Sequence, residues 1–127
     1  MTHWPAAELQ SITEKDDLQV APHRDDGVTY GTPTWIWNVQ VDGQLYVRAY
    51  HGIRSRWYQA ALKHKTGRIQ AANRTHEVIF EPVEDILQDK IDTAYRLKYQ
   101  GDPYLSSMLR PQARQATVRI LPRVNAP

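Results

Sequence analysis

The chain has 127 residues and a mass of 14.7 kDa, which fits one domain over 1–127, because a single hydrophobic core serves up to roughly 250 residues; separate cofactor and substrate domains are excluded. Zero cysteines remove disulfides, thiolate nucleophiles and cysteine-held metal centres. Sixteen Lys and Arg against fourteen Asp and Glu leave a formal charge of +2, too balanced for a protein that binds nucleic acid through bulk charge. No stretch of about 18 apolar residues is present, and Met1-Thr2-His3-Trp4-Pro5 lacks the basic start and apolar stretch of a secretory signal. The expectation is a soluble cytoplasmic protein of bacterial type with no membrane partner.

In chain order, Pro5 to Lys15 predicts a short amphipathic helix carrying Leu9 and Ile12, with Pro in its first turn. Leu18-Gln19-Val20 predicts a strand, and His23 to Gly27 an exposed polar loop. Thr34 to Tyr50 holds two runs of β-formers around Asp42-Gly43, the strongest short hairpin signal. A two-residue turn there sets Val41 opposite Gln44, Val39 opposite Tyr46, Trp37 opposite Arg48 and Trp35 opposite Tyr50. Both faces of that hairpin are then largely apolar, as strands of a closed or two-sided barrel require. Arg48 is the odd residue, a cation between Trp and Tyr neighbours.

Arg56 to Lys63 predicts a helix with Ser55 as its N-cap. Gly67–Ala72 and Glu77–Val83 predict a second strand pair around Asn73-Arg74. Glu84 to Tyr99 places Leu87, Ile91, Ala94, Tyr95 and Lys98 on one helical face, acids early and bases late. Gly101-Asp102-Pro103 ends that helix, Tyr104 to Leu109 adds a turn or short helix, and Thr117 to Leu121 alternates as a last strand. Antiparallel pairs with inserted helices predict a mainly β, α+β fold with about six strands, either a small barrel or an α+β sheet.

Chemistry points to two places. In His51-Gly52-Ile53-Arg54-Ser55-Arg56-Trp57, a strand end meets a helix start. A glycine, free backbone N–H groups and two arginines there suit a phosphate or another anion. The face holding Trp35, Trp37, Tyr46 and Tyr50 suits stacking on a flat conjugated ring, although such rings also serve as plain core. Lys98 either snorkels or reaches an anionic ligand. The five histidines fall at no metal-binding spacing, so no metal is expected. Gly-x-Ser-x-Gly, Gly-x-Gly-x-x-Gly and P-loop patterns are absent, and Asp25-Asp26 and Glu84-Asp85 are too close in sequence to converge as an acid/base pair. No catalytic side chain is therefore assigned.

Thr32-Pro33-Thr34-Trp35-Ile36-Trp37, then Asp42-Gly43-Gln44-Leu45-Tyr46-Val47-Arg48, then Gly52 and Ser55-Arg56-Trp57-Tyr58 resemble a bacterial domain family of unknown function. The same run, about residues 27 to 83, is similar in layout to split-β-barrel proteins that bind FMN or the deazaflavin coenzyme. Tyr95, Lys98 and Tyr99, with Ala113 to Pro122, also fit the first family. The resemblance implies a six-stranded antiparallel split β-barrel with flanking helices, commonly a homodimer with the cofactor ring across the interface. Arg48, Ser55 and Arg56 would then contact the phosphate, and Thr32, Pro33, Thr34 and Trp35 would lie beside the ring. Tyr50, Gly52, Arg54, Trp57 and Lys98 complete the candidate cofactor contacts.

The leading expectation is an FMN- or deazaflavin-dependent oxidoreductase acting on a small substrate, in which the cofactor carries the hydride. The alternative is a cofactor-free split barrel that binds a small ligand without turning it over. A nucleic-acid module using Arg54, Arg56, Arg68 and Arg74 with aromatic stacking ranks last.

Overall fold

The computed structural model describes residues 3–123; Met1 and Thr2 of the N-terminal stretch lie outside them. Seven strands form one antiparallel sheet that curls into a half-barrel, flanked by helices. In chain order they are β1 (Gln19–Pro22), β2 (Thr34–Trp35), β3 (Asn38–Val41), β4 (Gln44–Arg48), β5 (Thr66–Ala71), β6 (Arg74–Pro82) and β7 (Thr117–Pro122). Their order across the sheet is β2-β1-β5-β6-β7-β4-β3. The helices are α1 (Ala6–Thr13), α2 (Arg56–His64), α3 (Gln88–Lys98), α4 (Leu105–Met108) and α5 (Pro111–Arg114).

Alternation along the strands divides the core in two. Leu45 and Val47 of β4 join Val20, Ile69, Phe80, Val118 and Ile120, covered by Leu9 and Ile12 of α1 and Ala61 of α2. Tyr46 of β4, with Val39 and Val41 of β3, meets Ile91 and Tyr95 of α3, Tyr99 and Met108. Apolar residues on both faces of the first hairpin thus each have a partner layer.

That hairpin departs from its expected register in one place. Val41 pairs with Gln44 and Val39 with Tyr46, and Asp42 and Gly43 both take positive φ, at 50° and 79°, as a twisted two-residue turn requires. Beyond Asn38 the strand leaves β4, so Trp37 does not face Arg48 and Trp35 does not face Tyr50. Thr34 and Trp35 pair instead with Val20 and Gln19 of β1. One expected strand becomes two, and the sheet has seven strands rather than six.

The cause lies in α3. Lys98 Nζ donates to the Asn38 carbonyl at 2.7 Å, the Tyr95 hydroxyl to the Trp37 carbonyl at 3.4 Å, and the Asn38 N–H donates to the Tyr99 hydroxyl at 3.1 Å. Backbone groups at residues 37–38 are thereby partnered by side chains, while the Ile36 N–H donates to the Leu18 carbonyl at 3.1 Å. A buried backbone group must find a partner, and these partners release the chain from β4 toward β1.

Smaller corrections follow the same logic. The second hairpin turns at Ala72-Asn73, one residue before the expected Asn73-Arg74, with φ of 52° and 63°. The third helix begins as a short 3-10 turn at Asp85–Leu87 before α3 proper. Ser55 stands at the N-cap of α2, but its hydroxyl makes no capping bond.

A cleft at the strand break

The break between β2 and β3 opens a cleft of about 770 Å³. Its walls come from distant parts of the chain: Thr34, Trp35, Ile36 and Trp37 at the break, Arg48, Tyr50 and His51 at the end of β4, Ser55, Arg56 and Trp57 at the start of α2. Asp16, from the turn between α1 and β1, and Tyr104 and Met108 near α4 complete it. Of the residues singled out from sequence, Thr34, Trp35, Trp37, Arg48, Tyr50, His51, Ser55, Arg56 and Trp57 line this one space, whereas Tyr46 of the expected aromatic face is buried in the core instead. Thr32, Pro33, Gly52, Arg54 and Lys98 are not among its lining residues.

Aromatic rings dominate the lining. Trp37 stacks face to face on Tyr99, centroids 3.9 Å apart and planes 6° from parallel, so its ring is fixed from behind. Trp35 is 77% exposed at the rim. Tyr50 sits edge-on to both His51, at 5.1 Å, and Tyr104, at 6.1 Å.

The start of α2 carries positive character toward the same space. The first helical bond is made by Gln59 N–H to the Ser55 carbonyl, and with Ser55 uncapped by its hydroxyl the N–H groups of the first turn stay available. Arg56 has no hydrogen-bond or ion-pair partner among the described residues. Gly52, φ +73°, turns the chain from β4 into this helix, and a Cβ there would lie 2.6 Å from Gln112 Cγ of α5. Gly52 thus shapes the corner without lining the cleft.

Arg48 has a different place from the phosphate contact expected of it. Its side chain is fully buried. Nε donates to Thr117 Oγ1 at 3.1 Å, Nη1 to the Met108 carbonyl at 2.9 Å, and Nη2 to Gln88 Oε1 at 2.9 Å. Asp92 Oδ1 lies 2.6 Å from Nη1 as an ion pair. The guanidinium also lies 5.2 Å from the centre of the Tyr95 ring. With every nitrogen engaged inside the protein, Arg48 braces the wall of the cleft and has no donor to offer an anion.

Lys98 is likewise committed. Its ammonium donates to the carbonyls of Lys15 and Asn38 and to Asn38 Oδ1, at 2.9, 2.7 and 3.0 Å. Burial pulls its pKa down to about 8, while Asp16 and Asp17 oppose the shift. Instead of snorkelling or meeting a ligand, it ties the α1–β1 turn to β3.

The polar loop before β2 is satisfied locally. Asp26 accepts from the Val28 and Thr29 N–H groups and the Thr29 hydroxyl, which hold its carboxyl at about 2. Asp25 pairs with Lys63 and His64 of α2. Neither acid lines the cleft. Among the described residues no three His, Asp or Glu side chains converge as metal ligands, and no helix is long and apolar enough to cross a membrane.

Residues 8–120 match the family model described as "Uncharacterized protein conserved in bacteria (DUF2255)". The chain belongs to this family. The resemblance to a bacterial domain family of unknown function thus holds across nearly the whole DUF2255 chain. Among solved structures, it is similar to the conserved hypothetical protein Rv2991 from Mycobacterium tuberculosis, with a TM-score of 0.61 and 14% sequence identity over 98% of this chain and 83% of that one. At that identity the likeness concerns the fold. No curated protein matches.

Sequence reasoning missed Asp16, Tyr104 and Met108 as cleft residues. No local motif marks them, since each reaches the site through the packing of α1, α3 and α4 against the first hairpin.

Proposed function

We propose that this DUF2255 protein binds a small molecule with a flat conjugated ring and an anionic group in the cleft at the strand break. FMN or a deazaflavin coenzyme is the ligand class that suits it best. The observation that carries this reading is the juxtaposition, in one space, of a Trp37 ring fixed by Tyr99 and the uncapped α2 start with an Arg56 that has no partner among the described residues. The volume of about 770 Å³ lies within the roughly 300–1,000 Å³ range of small-molecule sites. Trp37 and Trp57 would face the ring, while Arg56, Ser55 and the first N–H groups of α2 would hold the phosphate.

When bound, such a cofactor accepts and returns a hydride, and the protein's part is orientation, exclusion of water and electrostatics. Oxidoreduction of a small substrate is the activity that follows. Binding without turnover is the second reading, favoured by Asp16, the sole carboxylate among the lining residues, which leaves no pair of carboxylates in the cleft to divide acid and base roles.

Titrating the purified protein with FMN and with a deazaflavin, followed by visible absorption and Trp fluorescence, tests the proposal. Micromolar binding is expected, weakened about tenfold in Arg56→Ala by loss of a charge-assisted contact. Absence of binding to either compound contradicts it. Binding without reduction of the chromophore by nicotinamide donors or small substrates favours the non-catalytic reading.

A further inference from the structure

We infer that Asp16 reads a hydrogen-bond donor on the ligand, so that the cleft selects a ring bearing an N–H of its own in addition to its anionic group. The inference rests on the small-molecule reading above and narrows it to a chemical class.

Asp16 is the only carboxylate among the lining residues and comes from a different element than Arg56. Its Oδ1 accepts from the Tyr99 hydroxyl at 2.7 Å. That hydroxyl in turn accepts from the Asn38 N–H at 3.1 Å, and its other potential acceptor, the Asn38 carbonyl, is more distant at 3.4 Å. The Tyr99 proton is therefore committed to Asp16, and the Tyr99 ring is buried and stacked on Trp37.

The turn that carries Asp16 is held as well. Lys98 spans from the Lys15 carbonyl to the carbonyl and side-chain oxygen of Asn38. One carboxylate oxygen is thus fixed by the layer that supports the Trp37 ring, while Oδ2 has no hydrogen-bond or ion-pair partner among the described residues.

An ionised carboxylate only accepts. Asp16 is exposed to the cleft and to solvent, so a ligand edge presenting acceptors alone would be repelled there, whereas an N–H would replace water at Oδ2 with a charge-assisted bond. A ring imide, such as the N3–H of an isoalloxazine, is such a donor, and it lies on the conjugated plane that the Trp37 ring would face. Asp17 plays no part in this, since its Oδ1 accepts the Ala72 N–H at 3.3 Å outside the cleft.

The test compares FMN with its N3-methyl analogue on the wild-type protein and on Asp16→Ala, with Asp16→Asn as the variant that keeps an acceptor. The wild type is expected to bind FMN about tenfold more tightly than the analogue. That ratio is expected to fall to about one in Asp16→Ala and to an intermediate value in Asp16→Asn. Equal affinities in the wild type, or an unchanged ratio in Asp16→Ala, would overturn the inference, leave Asp16 as a partner of Tyr99 alone, and leave the small-molecule reading intact. Failure of both compounds to bind the wild type would overturn both readings together.

Discussion

Arg48 is the residue on which the cleft wall depends. A guanidinium without exposed surface is tolerated only when each nitrogen is partnered, and here Thr117 of β7, Met108 of α4, and Gln88 and Asp92 of α3 do so. Replacing it with Met leaves Asp92 buried beside a partial partner, Arg114 Nε at 3.4 Å. We predict that Arg48→Met lowers stability by about 3–5 kcal/mol, read as a shift in the urea midpoint, and that Arg48→Lys restores little because one ammonium cannot reach positions set by a planar fork. An unchanged midpoint would return Arg48 to a role outside the core. From sequence, a cation among aromatic strand residues was visible. Its partners, 40 to 69 residues away, were not, because no local pattern encodes which polar groups a buried arginine will meet.

Turns show where local chemistry is sufficient. Asp42-Gly43 was legible because Gly accepts positive φ freely and Asp accepts it at small cost, and both residues use that freedom. The second hairpin was placed one residue late because Ala72 occupies a left-handed position that alanine disfavours. Its N–H is instead taken by Asp17 Oδ1, and the pairing Ala71↔Arg74 fixes the register. Relief of that strain, set against the entropy of an added glycine, predicts that Ala72→Gly raises stability by about 0.5–1 kcal/mol. Thermal denaturation would register a rise of a few degrees, and a lower midpoint would show that the turn is not strained. The split of the first expected strand into β2 and β3 was not legible either. Its cause is three side chains of the 95–99 segment that satisfy the backbone of residues 37–38, a tertiary effect that overrides an uninterrupted run of β-formers.

Across the whole molecule, antiparallel strands with flanking helices could be read from alternation and turn residues. The position of β7 between β6 and β4 could not, since pairing of the last strand with the fourth is a long-range choice. That choice matters for the site. β7 supplies Thr117 to Arg48, and the same packing brings α4 beside the end of β4, so that Tyr104 and Met108 join Trp37 and Arg56 around one space. The anion-suited strand end and the aromatic residues were both evident as separate segments. Their union depended on the strand break, and so did the entry of Asp16. The central claim is that this union forms a ligand site. A crystal structure of the protein saturated with FMN tests it most directly: the account predicts the ring against Trp37 with the phosphate at Arg56 and the start of α2, and FMN bound elsewhere with the cleft empty would contradict it.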